Sequence, residues 1–213
     1  MLALHSFFRS GTSHRVRIAL NLKGISAEYH AVDLRTDAHL AAAFKAINPQ
    51  ALVPVLTVGS EHLIQSPAIL EWLDETYPEP PLLPKDPFAR ARVRALAAMV
   101  GCDVHPLNNR RILMYLRSQF GADEAAVNTW CATWIGTAFD ALEVMLAADT
   151  TRGDFCHGGQ PSMADVYLVP QIESARRFGV DLAAWPQIMA IDVACQAIPA
   201  FANAAPSRQP DAA

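Results

Sequence analysis

The sequence predicts a mixed α/β domain followed by an all-helical one. Three observations predict it. The first 80 residues alternate between short strand-like and helix-like segments, residues 77–84 hold four prolines in eight positions, and from Ala89 onward Ala, Leu, Met and Arg dominate with no strand pattern. The elements of the first part read in order. Leu2-Ala3-Leu4-His5 is a short strand, and Ser13 to Lys23 carries Val16, Ile18, Ala19, Leu20 and Leu22 near helical spacing, with Gly24 as a stop. Glu28 to Val32 alternates as a strand does, Asp37 to Lys45 is predicted helical, and Val53 to Val58 is a strand reached through a proline. Gly59-Ser60 is a turn, with His62-Leu63-Ile64 as the hairpin partner. Ser66 is placed to cap a helix running to Thr76, with Pro67 at its first position, where a missing N–H costs nothing. The order is β-α-β-α-β-β-α.

The proline run cannot form a regular element and reads as a linker. Beyond it, long helical stretches are expected over Ala89–Leu116 and Asp123–Ala147. Ser162-Met163-Ala164-Asp165 fits a capping box before the apolar run Val166 to Ile172, and a short helix follows Trp185-Pro186. Asp165 therefore reads as a folding residue rather than a catalytic acid, and Trp72, Trp130 and Trp134 as core. The domains are predicted at 1–80 and 89–205, with a linker at 81–88 and a flexible tail at 206–213.

Composition narrows the function classes. The chain has 213 residues, 52% hydrophobic and 18% charged, with a formal charge of −4. That is a packed protein with no basic run to bind nucleic acid. The start lacks the basic flank and apolar stretch of a signal peptide, and no uninterrupted apolar run reads as a membrane span. Cys102, Cys131, Cys156 and Cys195 are far apart and form no Cys-x-x-Cys pair, so reduced thiols and no metal site are expected.

Several segments carry a more specific signal. Arg9-Ser10-Gly11-Thr12-Ser13-His14-Arg15-Val16-Arg17-Ile18-Ala19-Leu20 is followed by Asn48-Pro49-Gln50, Leu52-Val53-Pro54 and Gln65-Ser66-Pro67-Ala68-Ile69. Later come Cys102-Asp103-Val104-His105-Pro106-Leu107-Asn108-Asn109-Arg110-Arg111 and Glu173-Ser174-Ala175-Arg176-Arg177-Phe178. Together, over essentially the whole chain, these resemble the zeta class of the glutathione transferase family, whose signature usually begins Ser-Ser-Cys. Gly11 stands at the second serine and Thr12 at the cysteine, so the chain offers no thiol there. This variant and the pair Arg110-Arg111 resemble the branch that acts on maleylpyruvate.

The resemblance implies a thioredoxin-like glutathione-binding domain and a helical substrate-binding domain. It also implies a cytoplasmic homodimer, glutathione as cofactor, and a small maleyl dicarboxylate isomerised from cis to trans. Ser10, beside the first helix N-terminus, is the candidate hydrogen-bond donor to the glutathione sulfur, with Gly11, Thr12 and Ser13 supporting it. The plainer role for these residues is helix capping. Val53, before a cis proline, would pair with the cysteinyl part, and Gln65 and Ser66 would receive the γ-glutamyl carboxylate. His39 and Gln50 are candidates for the glycyl end.

The resemblance adds Asp103, His105, Asn109, Arg110 and Arg111 to the glutathione set and places all of these but Arg110 along one side of the first long helix of the second domain. Asn109 to Arg111 share that edge with His105 only if Pro106 begins or kinks the helix, and the segment is a candidate for reaching a partner subunit's glutathione. Arg9, Arg111, Arg177 and His105, with His14 nearby, are the candidates for the substrate carboxylates; arginine suits bidentate capture. The plainer alternative for each arginine is a surface ion pair, and it is preferred for Arg110 and Arg176. Isomerisation, a conjugating or dehalogenating transferase and a non-catalytic binding role all stay open on sequence.

Overall fold

The structure, a computed structural model, describes residues 2–212. Met1 and Ala213, the outer residues of the predicted first domain and tail, lie outside the described residues. The chain divides into two compact units, Met1–Leu82 with Ala197–Ala213, and Leu83–Gln196.

The first unit contains β1 (Leu2–Ser6), α1 (Gly11–Leu22), β2 (Glu28–Ala31), α2 (Ala42–Ile47), β3 (Val55–Val58), β4 (Glu61–Ile64) and α3 (Ser66–Thr76). The sheet order is β2-β1-β3-β4. β1 runs parallel to β2, with His5 opposite His30, and antiparallel to β3, with Leu4 opposite Leu56; β3 and β4 form the predicted hairpin. α1 packs on α3, and its eight consecutive residues Ser13 to Leu20 are buried. Val16, Ile18, Leu56, Ile69, Leu70 and Leu73 are fully enclosed, each contributing about 2 kcal/mol of apolar burial. A second cluster gathers Phe7, Phe8, Val32, Phe44, Val53 and Val55, with Ala212 against it.

The boundaries differ from the sequence reading in instructive ways. α1 starts two residues early, at Gly11, because the Ser10 side chain caps it. The single helix expected over 37–45 is a 3₁₀ turn, Ala38–Leu40, and α2, separated at Ala41, whose extended backbone ends one and starts the other. The N-cap of α3 is Gln65, not Ser66, and Pro67 is one position further in than expected. Gly24 does end α1, at φ +65.

The C-terminal segment departs most. Instead of a flexible tail at 206–213 there are a 3₁₀ turn at Pro206–Arg208 and an Asp211 anchored on Phe8 N–H, and α9 (Pro199–Ala204), expected within the second domain, joins them in the first unit. α9 packs on α1. The partners of this segment are nearly 200 residues away, and such contacts leave no local pattern in a short polar sequence.

The second unit holds α4 (Pro87–Ala98), α5 (Arg110–Phe120), α6 (Glu124–Ala148), α7 (Met163–Arg177) and α8 (Pro186–Gln196). Asp86 and Asp123 cap α4 and α6 by accepting from Ala89 N–H and Ala126 N–H, both at 2.8 Å. The predicted Ser162–Asp165 box starts α7: the buried Asp165 carboxylate accepts from Ser162 N–H at 2.7 Å and from Cys156 N–H at 2.8 Å. α6 is long and apolar enough to cross a membrane by length and composition, although Asp140 and Glu143 interrupt its apolar run. Here its Val127, Cys131, Ile135, Phe139, Leu142 and Leu146 are buried, and it packs on α5, α7 and α8 as a core helix.

The helix expected over 89–116 is two helices. α4 runs into a π-helical turn, Met99–Val104, and the chain breaks before α5. Gly101 sits in that turn, where an added Cβ would stand 2.7 Å from the Tyr167 ring. Of the tryptophans expected in the core, Trp72 and Trp130 are half-buried and Trp134 is exposed. The buried one is Trp185, whose indole N–H donates to Asp140 at 2.8 Å. A large ring with one polar edge satisfies that edge when it is enclosed.

Candidate active site

β1 hands the chain through a tight turn, closed by Ser10 N–H on the Phe7 carbonyl at 2.9 Å, to the start of α1. Ser10 is the N-cap: its Oγ accepts from Ser13 N–H at 3.2 Å and its carbonyl accepts from His14 N–H at 2.9 Å. The plainer capping role is therefore real for Ser10. It does not exhaust the side chain, because the Ser10 proton is still to be given. Ser10 Oγ and Thr12 Oγ1 are 2.9 Å apart, and Thr12 donates its only hydroxyl proton to the Val53 carbonyl at 3.0 Å. In their shared bond Ser10 is thus the donor and Thr12 the acceptor. Rotation about the Ser10 Cβ–Oγ bond redirects that proton to any anion at the helix end.

The surroundings favour an anion. No acidic residue lies in the first turn of α1 or of α3. The positive ends of both helix dipoles are therefore not neutralised by their own side chains. Ser10, Gly11 and Thr12 are partly exposed, and Arg9 is exposed with its guanidinium 5.2 Å from the centre of the Phe8 ring.

Ser13 and His14 are corrections. Ser13 is fully enclosed, so it supports the helix and not a ligand. His14 is 3% exposed, and burial, aided by the Arg17 charge, holds its pKa down at about 3. It is a neutral core residue near neutral pH, not a cation for the substrate.

The loop before β3 brings a second group together. Asn48 is buried; its amide donates to the Leu52 carbonyl at 2.7 Å and its oxygen accepts from Gln50 N–H at 3.0 Å. That staple holds the approach to the cis Val53–Pro54 bond. Gln65, at φ +68, donates from Nε2 to Gln50 Oε1 at 2.7 Å. Gln50 and Gln65, separate in sequence, form one amide pair at the N-terminus of α3. The Ser66 hydroxyl is buried and accepts from Arg15 Nη1 at 3.3 Å, keeping its own proton to give. His39, expected on a surface helix, is buried at 8% exposure in the 3₁₀ turn.

The candidates of the second unit are more dispersed. Asp103 is exposed in the π-helical turn, and His105 follows it half-buried. Asn109 is the N-cap of α5, accepting from Arg111 N–H at 3.0 Å, and Arg110 and Arg111 are exposed in its first turn. The helix edge expected to join Asp103, His105, Asn109 and Arg111 does not exist: residues 105–109 are a break, and Asn109 begins a new helix. Arg177 is exposed at the end of α7, donating to Ser174 Oγ at 3.1 Å and stacking 4.9 Å from the Phe178 ring centre. Arg176 pairs with the buried Asp192 and is structural. A cleft of about 330 Å³ in the same unit is lined by Leu146, Asp149, Arg152, Gly153 and Gln187 among others, and by none of the candidates. Two of its charged groups are already engaged, Asp149 with Arg92 at 3.1 Å and Arg152 with Gln187.

Sequence reasoning missed the buried arginines of α1. Arg15 and Arg17 are 2% and 5% exposed. The available signal was the apolar residues Val16, Ile18, Ala19 and Leu20 set around them, which cover most of the helix circumference.

Comparison with known proteins agrees with this description. Residues 9–76 match the glutathione S-transferase N-terminal domain, and residues 124–201 match the glutathione S-transferase C-terminal domain. The chain is 62% identical, over 100% of both chains, to maleylpyruvate isomerase of Ralstonia sp. A solved holo structure of maleyl pyruvate isomerase, described as a bacterial glutathione S-transferase in the zeta class, superposes with a TM-score of 0.98. It has 62% identity, and the match covers 99% of this chain and 100% of that one. A maleylacetoacetate isomerase structure from Methylobacterium extorquens AM1, with bound malonate and GSH, gives a TM-score of 0.95 at 40% identity, over 99% of each chain.

Proposed function

The chain belongs to the glutathione S-transferase family, and from that premise we propose that it is a zeta-class, glutathione-dependent cis–trans isomerase converting maleylpyruvate to fumarylpyruvate. The observation that carries this reading is the Ser10 hydroxyl, partly exposed at the undamped positive end of α1, beside Arg9, in a chain with no cysteine at that turn. Glutathione, when bound, would supply the thiolate nucleophile for a reversible addition to the maleyl double bond and would be regenerated. The residues present fit that cofactor: two helix ends without acidic residues, the Gln50–Gln65 amide pair, and a cis peptide at Val53.

The work of the chain's own residues follows. Ser10 swings its proton from Thr12 toward the sulfur and keeps the thiolate form favoured, with the Gly11 and Thr12 amides heading the helix. Thr12 steadies Ser10 and ties α1 to Val53. Gln65, Ser66 and the α3 N-terminus hold the γ-glutamyl end, with His39 and Gln50 as the candidates for the glycyl end. Arg9 holds a substrate carboxylate, with Arg111, Arg177 and His105 as the candidates from the second unit. Asp103, Asn109 and Arg110 complete the proposed glutathione set; the N-cap role of Asn109 is the better supported for that residue. The protein works as a cytoplasmic homodimer in the breakdown of aromatic acids through gentisate.

Purified protein is expected to turn maleylpyruvate into fumarylpyruvate only when glutathione is added, with no net loss of glutathione. Stoichiometric consumption of the thiol moves the assignment to a conjugating transferase. Maleylacetoacetate is the second substrate reading, supported by the 40% identical relative. Side-by-side turnover of the two maleyl acids decides between them.

A further inference from the structure

We infer that residues 199–212 form a strap that positions the Phe7–Ser10 turn, with Asp211 and Arg17 as its two fasteners, so that Asp211 is a positioning residue for Ser10 and Arg9. The inference rests on the proposed role of that turn.

Both backbone groups of Phe8 are held by charges of opposite sign. Its N–H donates to Asp211 Oδ2 at 3.0 Å, and its carbonyl accepts from Arg17 Nη2 at 3.0 Å. Arg17 also reaches the Phe7 carbonyl at 3.4 Å, the same oxygen that takes the Ser10 N–H and closes the turn. Hydrogen bonds to ionised groups are shorter and stronger than neutral ones, so this peptide is fixed more firmly than an ordinary turn.

The two fasteners are themselves tied to the C-terminal segment. Arg17 Nε donates to the Ala204 carbonyl at 3.0 Å, and Asn21 donates to the Ala200 carbonyl at 2.9 Å. Asp211 Oδ1 accepts from the Tyr29 hydroxyl at 2.7 Å. Burial pushes Tyr29 up to about 12, so it keeps the proton it donates; burial lowers Arg17 to about 10, and it stays charged near neutrality with Asp211 and Tyr29 favouring the charge. Gln209 closes the segment on itself through the Asn203 and Ala205 carbonyls, and Ala212 packs on the Phe7–Phe8 cluster. The Phe8 ring in turn carries the Arg9 and Arg35 guanidinium groups at 5.2 and 5.4 Å. Moving Phe8 moves the base of Arg9 and the approach to Ser10 together. Releasing one end of the Phe8 peptide therefore shifts both groups that face the reacting atoms, and small displacements there are costly.

The test compares wild type with Asp211→Ala, Asp211→Asn and Tyr29→Phe. Three quantities are measured: the apparent thiol pKa of bound glutathione, from thiolate ultraviolet absorbance against pH; kcat and KM at saturating glutathione; and the melting midpoint. Assays run well below every midpoint. Asp211→Ala is expected to raise the bound thiol pKa by about half a pH unit and to lower kcat about tenfold. Asp211→Asn, which keeps an acceptor for Phe8 N–H, should stay within about threefold of wild type, with Tyr29→Phe between the two. A folded Asp211→Ala protein with wild-type thiol pKa and kcat overturns the strap's positioning role, whatever its melting midpoint. If Asp211→Ala does not fold, Tyr29→Phe decides on the same readouts: a raised thiol pKa supports the strap and an unchanged one overturns it. A wild type that binds glutathione without lowering its thiol pKa, or does not bind it, overturns the functional reading and the strap together.

Discussion

The N-termini of α1 and α3 are built differently although both belong to the first unit. α1 carries a serine N-cap whose oxygen takes the Ser13 N–H while its proton rests on Thr12. α3 has no side-chain cap; Gln65 precedes it in a left-handed conformation and turns its amide toward Gln50. One end is internally capped but holds a proton that is free to be redirected. The other leaves its first backbone donors without a side-chain acceptor of their own. A charge that must appear and disappear during a reaction suits the first arrangement, and a permanent carboxylate suits the second. The proposed division of labour, sulfur at α1 and γ-glutamyl carboxylate at α3, follows from that difference in hydrogen bonding.

Substitutions can break this contrast, the largest effect coming from α1. Ser10→Ala should lower kcat about 100-fold, as removing one aimed donor does elsewhere. Its loss as an N-cap should cost only about 1 kcal/mol of stability. A melting-point change with unaltered kcat would reduce Ser10 to its cap. Next in size, Arg9→Ala and Arg177→Ala should each raise the KM for the dicarboxylate by about tenfold, the loss of a charge-assisted bond. A flat KM for Arg177→Ala removes it from the site. Gln65→Ala should weaken glutathione binding by about fivefold and leave kcat at saturation nearly unchanged. Titration calorimetry beside steady-state kinetics checks this, and a kcat effect as large as that of Ser10→Ala erases the distinction between the two helix ends.

A further effect concerns stability alone. His14 is neutral in the folded chain down to about pH 3 and would take a proton near pH 6.5 once unfolded. Between those values the unfolded state binds the extra proton, so stability falls as pH drops through the window. The slope from this group is at most about 1.4 kcal/mol per pH unit. Denaturant melts of wild type and His14→Gln at pH 7 and pH 5 should diverge as pH falls, with the variant losing less. Parallel losses would show that His14 is not the titrating group.

Legibility in the sequence followed the range of the interactions. The strands, the hairpin, the Ser162–Asp165 box and the Ser10 cap were readable because each rests on residues within a few positions of one another. The break at 105–109 was signalled by Pro106, yet the π-helical turn before it was not, since Gly101 is there to admit the Tyr167 ring from another helix. The pairing of Gln50 with Gln65 and the burial of His14, Arg15 and Arg17 depend on what packs over them, and periodicity does not record that.

The sequence by itself determined the β-α-β-α-β-β-α order through α3 and the identities of the groups at the first helix end, because propensity, capping and motif spacing are local properties of the chain. Tertiary structure alone decided where the Ser10 proton rests and which charges are sealed inside. It also decided that Asp211, in a tail expected to be flexible, accepts from the Phe8 N–H. The physical reason is distance along the chain: a carboxylate at 211 and an amide at 8 become partners only once the fold has brought them to 3.0 Å.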